Sequence, residues 1–144
     1  MGRQLDEEAA RRDAAAAQRQ RLPSAAGGMR RGRLYGRADA NAELVRYAEA
    51  FARKIELNQT LDLVREAARQ PHTAPLVTVA LRSDGSVESI VFVLSSGVAR
   101  IDEAVRRIVP SQTPYQAFPS ALARDFDVVE IRRTWHFDSA VRLY

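Results

Sequence analysis

The stretch VALRSDGSVESIVFVLSSG, from Val79 to Gly97, predicts a β-hairpin at the centre of the fold. Two apolar strands, over 76–82 and 87–94, flank a polar turn, and its Asp84-Gly85 pair is the strongest short-range signal of a hairpin. The second strand is apolar on both faces, so we expect it to be central in its sheet or covered twice. Because a lone hairpin is marginal in water, other elements must pack on it.

The spacing of apolar residues predicts three helices around the hairpin. Asn41 has the side chain of an N-cap, and a second short helix is expected over 61–69. A third is expected over 99–108, and Pro110 should stop it. The first helix carries one apolar stripe, formed by Leu44, Ala48, Phe51 and Ile55.

The segment DVVEIRRTWHF, Asp127 to Phe137, predicts a long last strand with one apolar and one polar face. Arg133 falls on the apolar side, and we expect it to extend past Trp135 toward solvent. A single polar face implies an antiparallel sheet covered by helices on one side. The predicted fold is therefore α+β, a small two-layer sandwich with a three-stranded antiparallel sheet packed against helices.

The basic charge is concentrated in the first part of the chain. Residues 1–40 carry nine arginines against five acidic residues, whereas 41–144 carry thirteen basic and thirteen acidic residues. The leader is also rich in Ala and Gly, so we predict a flexible spacer over 1–40 and one domain over 41–144. A neutral folded part argues against nucleic-acid binding by the domain. The arginines of the leader could instead contact anionic lipid or an acidic partner.

No residue pattern indicates catalysis or a bound metal. A zinc site needs three or four convergent ligands, but the chain has no cysteine, and His72 and His136 are far apart in sequence. Adjacent carboxylates on a helix diverge, as at Asp102 and Glu103, and no phosphate-binding glycine motif is present. No apolar run approaches the roughly 18 residues of a membrane span. We therefore expect a binding module with no catalytic residue, metal or cofactor.

Taken in order, these motifs resemble the C-terminal domain of TonB-family energy transducers. That family has a strand ending in a D-G-x-V turn, a strand ending in S-S-G, a helix of the L-D-x-A-A type, a Phe/Pro loop and an aromatic last strand. The likeness spans roughly 65–137, about half of the chain. The matching residues are Asp84, Gly85, Val87, Ser95, Ser96, Gly97, Ile101, Asp102, Ala104, Phe118, Pro119, Trp135 and Phe137.

The resemblance implies a periplasmic domain that is anchored to the inner membrane by a helix outside this sequence and driven by an ExbB/ExbD-type proton motor. The implied partner is a TonB-dependent outer-membrane receptor for siderophore or haem uptake, bound by β-augmentation. A second contact is implied at Leu61, Leu63, Val64 and Arg65, where the family usually has a Tyr-Pro pair at the positions of Leu63 and Val64. The implied contact strand comprises Val128, Val129, Glu130, Ile131, Arg132, Arg133, Thr134 and His136.

The residues of the last strand agree with that mechanism. It is long and near the end of the chain, and its outward charges suit a free edge guarded against indiscriminate pairing. An added strand would form main-chain hydrogen bonds, each contributing about 1 kcal/mol net. Three alternatives stay open: a TolA-like envelope protein of the same fold, a cytosolic nucleic-acid-binding protein acting through the leader, and an enzyme for which no residues can be named. A homodimer is also left open.

Overall fold

A computed structural model describes residues 29–58, 61–137 and 140–144 of the chain, so the first 28 residues of the spacer predicted over 1–40 lie outside the described residues. The described residues form five strands and four helices. Their order is β1 (Arg31–Leu34), α1 (Ala42–Leu57), α2 (Leu61–Ala68), β2 (Leu76–Arg82), β3 (Val87–Leu94), α3 (Ala99–Ser111), α4 (Ser120–Ala123), β4 (Val128–Phe137) and β5 (Val141–Leu143).

The five strands form one mixed sheet. The spatial order is β1-β4-β2-β3, and β5 pairs with the end of β4. The β1–β4 pair is parallel, whereas the other three pairs are antiparallel. The α+β class is therefore confirmed, but the sheet has five strands instead of three and is not wholly antiparallel.

Local signals located most elements correctly. Both hairpin strands have the predicted bounds. The side chain of Asn41 accepts hydrogen bonds from the backbone N–H groups of Glu43 and Leu44, at 3.1 and 3.2 Å, so the predicted N-cap is confirmed. Pro110 does not stop α3, which runs to Ser111. Pro110 cannot donate a backbone hydrogen bond, and the helix ends one residue after it.

The predicted boundary at residue 41 is wrong, because β1 belongs to the sheet. Leu34 is 1% exposed and pairs with Ile131 of β4. The segment RGRL has the composition of a linker, and only its pairing with β4 makes it a strand. A Cβ atom at Gly32 would lie 3.0 Å from the ring of Phe126, so glycine allows this close packing.

The core lies between the helices and one face of the sheet. The apolar face predicted for β4 is confirmed, and Trp135 is 1% exposed on it. The stripe predicted for α1 is buried against the same layer. The opposite face of the sheet carries the polar side chains of β4. The expectation of a sheet covered on one side therefore agrees with the described residues.

Arg133 does not extend to solvent. It points into the core side of the sheet and is 2% exposed, and within the described part of the chain its three guanidinium nitrogens have no hydrogen-bond partner. Its nearest counter-charge is Glu49 of α1, whose Oε2 lies 3.8 Å from Nη2. Burial lowers the pKa of Arg133. The prediction was wrong because α1 packs over the strand and leaves this side chain no exit.

Candidate strand-addition site

The outer edge of β4 is not free. Its first residues, Val128 to Ile131, pair with β1, and its last residues pair with β5. Thr134 and Tyr144 also exchange two backbone hydrogen bonds, at 2.8 and 2.9 Å. The prediction of a free terminal edge is wrong, because chain segments before α1 and after β4 fold back along it. Arg132 and Arg133 lie between the two covering segments.

The residues predicted to contact a partner differ in their exposure. Glu130, Arg132, Thr134 and His136 are partly exposed on the polar face. The others are buried, and they are Val128, Val129, Ile131 and Arg133. A partner can thus reach four of these side chains from the polar face, but it can reach the strand backbone over 128–131 and 134–137 only where a covering strand moves away.

Glu130 is the side chain that holds β1 in place. It accepts hydrogen bonds from Arg31 Nε at 2.8 Å and from the Tyr35 hydroxyl at 2.5 Å, and Arg33 Nε lies 3.4 Å away. Burial disfavours the charged form of Glu130, but the hydrogen bonds from Tyr35 and Arg31 outweigh it and lower the pKa of this carboxyl. The guanidinium of Arg132 stacks 3.8 Å from the Tyr35 ring. Side chains therefore reinforce a backbone pairing of only four residues.

Two further ion pairs extend this arrangement. Arg31 also donates to Glu88 of β3 at 2.6 Å, so its side chain connects the two outermost strands of the sheet, β1 and β3. At the start of β1, Arg30 and Asp127 form a side-chain ion pair at 2.9 Å. The backbone N–H of Asp127 donates to the carbonyl of Arg30 at 2.7 Å. The path of the chain into β1 is thus held by its backbone and by charged contacts.

The Asp-Gly turn, part of the family-like motif, is explained by the fold. The carboxylate of Asp84 accepts from the N–H of Ser86 at 2.9 Å and from its hydroxyl at 2.6 Å. Gly85 has φ +87°, and a Cβ there would lie 2.1 Å from the carbonyl oxygen of Tyr115. Only glycine fits, because the turn packs directly on the loop before α4.

The Ser-Ser-Gly segment joins β3 to α3. Asp102 accepts from the backbone N–H and the hydroxyl of Ser96, at 3.1 and 2.6 Å, and from the hydroxyl of Ser95. Burial opposes ionisation of Asp102, but these hydrogen bonds outweigh it and lower its pKa. Gly97 has φ +83° and makes the sharp change of direction. These motif residues therefore have structural roles in the turn and in the start of α3.

The predicted second contact lies on α2. Leu61 and Leu63 belong to this helix, Val64 packs against the core and Arg65 is exposed. Of Val64 and Arg65, only Arg65 is thus well placed to meet a partner.

Two cavities lie beside α1 in the part of the chain that the structure describes. A cavity of about 320 Å³ lies between α1 and the loop at 114–116, and another of about 360 Å³ lies between α1 and β5. Neither contains a serine, cysteine or histidine. Within the described ranges, no group of three or more His, Cys, Asp or Glu side chains could hold a metal ion. None of the helices described is long and apolar enough to cross a membrane.

The open edge of the sheet is β3, which its sequence predicts to be central or covered twice. Among the described residues, β3 pairs with β2 alone. Val91, Val93 and Leu94 are 53%, 47% and 50% exposed, whereas Ile90 and Phe92 pack partly on the core. The apolar pattern on both faces predicts a strand buried on two sides, but half of it faces solvent. Period-2 alternation reports the face of a residue and not the position of its strand.

Comparison of the chain with protein-family models, with curated proteins and with solved structures finds no match.

Proposed function

We propose that this chain is the TonB-like periplasmic domain of an energy transducer. In this proposal an inner-membrane anchor and an ExbB/ExbD-type motor drive the domain, and it binds an extended segment of an outer-membrane receptor for siderophore or haem uptake. The observation that carries the proposal is β1. Arg31 and Val128 are 97 residues apart in the chain, yet β1 adds to β4 as a short extended strand. The edge of β4 is thus suited to an added segment.

The receptor segment would replace β1 along Val128 to Ile131. Main-chain hydrogen bonds, each contributing about 1 kcal/mol net, would hold it in place. Part of this free energy is offset by the cost of releasing β1. The apparent association constant therefore equals the intrinsic constant multiplied by the fraction of molecules in which the edge is free. A connector that transmits force must also dissociate from its receptor. A weak contact that forms only when β1 is displaced can dissociate in this way.

Glu130 indicates what the segment should carry. When β1 leaves, this partly buried carboxylate loses its bonds to Arg31 and Tyr35. An unpaired carboxylate of this kind is costly. A segment with an arginine or a hydroxyl side chain near this position would restore the hydrogen bonds. Receptor segments with such a residue should bind more tightly than segments with an acidic one.

The test is an amide-shift titration of the full chain with synthetic peptides copied from the periplasmic N-terminal segments of outer-membrane receptors. Shifts should concentrate on Val128 to His136, with smaller shifts on α2. Tyr35→Phe removes one hydrogen bond that holds β1, about 1 kcal/mol, so it should tighten peptide binding about fivefold. Tyr144→Phe is the matched control and should leave affinity unchanged, since Tyr144 contacts Arg37 and His136 through its ring.

Four results would contradict the proposal. Shifts confined to the arginine-rich leader would indicate electrostatic binding, and a salt-sensitive complex with random DNA would favour the nucleic-acid alternative. Shifts confined to β3 would place the binding edge on the wrong side of the sheet. Preference for peptides from Tol-system partners would favour the TolA-like alternative.

A further inference from the structure

The outer edge of β3 lacks most features that guard sheet edges. Such edges are usually short, twisted by bulges, or occupied by lysine or proline. β3 has eight residues, no lysine and no proline, and between Ser89 and Leu94 it has no charge. Its register shifts against β2 fall near the two ends of the pairing, so the ladder over 89–92 is regular. This regular part presents an unguarded edge.

The one charged side chain of β3 is already engaged within its own sheet. Glu88 forms an ion pair with Arg31 at 2.6 Å, and this hydrogen bond lowers the pKa of Glu88. A charged strand added beside 89–94 would therefore find no counter-charge there and would have to desolvate its own charge against valine side chains. The edge suits an uncharged, apolar strand.

We propose that the strand which pairs with β3 is the β3 of a second copy of this chain, in antiparallel orientation. The regular stretch supplies the uncharged, apolar partner that the edge requires. Antiparallel pairing places Glu88 opposite the apolar end of the other strand instead of opposite its own copy, so no like charges meet. Val91 of each copy then packs on the same side of the joined sheet.

This interface limits the assembly to a dimer. Each chain offers one open edge of this kind within its described residues, and a two-fold contact uses the same patch on both subunits. The pair forms a continuous sheet with the β1-covered edges at its two distant ends. Self-association through β3 and segment binding at β4 therefore use opposite edges, and either can occur without the other.

The first test measures the sedimentation velocity of the full chain from about 5 to 500 µM. A small strand-to-strand interface should give a dissociation constant on the order of 10 to 100 µM. Val91→Lys places a charge at the edge and should keep the chain monomeric. Leu57→Lys changes a 76% exposed residue of α1 and should dimerise like the wild type. Circular dichroism at low concentration confirms that both variants are folded.

The second test uses the absence of cysteine from the chain. A single cysteine at Val91 should form a disulfide-linked dimer under mild oxidation, because this position faces its own counterpart across a two-fold strand pair that puts Glu88 opposite Leu94. Leu57→Cys is the control and should remain unlinked. A chain that stays monomeric up to about 500 µM would overturn the proposal. So would a dimer that survives Val91→Lys, or one that links best through Leu57→Cys.

Discussion

The two edges of this sheet are built in opposite ways. The β4 side is covered by two short strands from distant parts of the chain, and both carry arginine. The β3 side is a single eight-residue strand with half-exposed valines and a half-exposed leucine. One edge is closed by the chain itself and held by side-chain contacts, whereas the other offers its backbone and apolar side chains at once. The difference teaches that a long, apolar strand is no guarantee of a central position.

The two edges also differ in how they can bind an added strand. A segment that binds at β4 competes with β1, so the affinity there depends on how firmly Glu130 and its partners hold that strand. A strand that binds at β3 displaces nothing described in the structure. We therefore expect binding at the β4 edge to depend on the release of β1. Binding at the β3 edge should depend only on the concentration and affinity of the partner.

The largest change in stability is expected at β4, which is an inner strand of the sheet. Trp135→Ala removes a fully buried ring from β4 and should lower the free energy of unfolding by about 3–5 kcal/mol, measured by urea denaturation. Leu57→Ala, at an exposed position, should change it by less than about 0.5 kcal/mol. A loss below about 1 kcal/mol for Trp135→Ala would mean that this ring is a contact residue and β4 is not central.

The next effect compares the covering strand with the open one. Leu34→Ala removes a buried side chain from β1 and should cost about 2–4 kcal/mol, with faster hydrogen exchange of the β4 amides that face β1. The same change at half-exposed Leu94 of β3 should cost less than about 1 kcal/mol. Equal losses at the two positions would remove the distinction between the edges.

A smaller effect concerns the side-chain contacts of β1. Glu130→Gln keeps the shape of the side chain but loses the charge, and it should cost about 1–2 kcal/mol at pH 7. Because the pKa of Glu130 is lowered in the folded state, its charge stabilises the fold above the unfolded pKa of about 4.3. This contribution is lost as the pH falls through the folded value.

Urea denaturation from pH 7 to pH 3 measures this effect. The wild type should lose more stability than Glu130→Gln, and the two curves should converge at the acid end. Glu103→Gln, at an exposed position of α3, is the control and should follow the wild type. Parallel curves for wild type and Glu130→Gln would show that β1 is not held by this carboxylate.

The smallest effect is expected at the open edge. Val91→Thr keeps a β-branched side chain at a position that is 53% exposed, so it should change the stability of the monomer by less than about 0.5 kcal/mol. Thermal unfolding at low protein concentration measures this. A loss above about 1.5 kcal/mol would mean that Val91 is packed within the monomer and that the edge is not open.

The sequence by itself determined the features that short-range chemistry controls. The Asp-Gly turn placed both hairpin strands, because Gly85 can adopt the positive φ that the turn needs. The side chain of Asn41 marked the start of α1 by satisfying N–H groups that have no partner inside the helix. Alternation along β4 identified its buried face, including Trp135.

Only the tertiary structure decided which strands are neighbours. β1 and β5 are four and three residues long, too short for a periodic pattern. β1 becomes a strand because the distant backbone of β4 pairs with it, and β5 becomes one because the chain folds back on the end of β4. Strand order placed β3 at an edge although its sequence is as apolar as that of a buried strand. The same packing closed α1 over Arg133 and buried an arginine that local rules would send to solvent. Side-chain patterns record which face is buried, whereas pairing joins backbone groups far apart in the chain and leaves little trace in residue type.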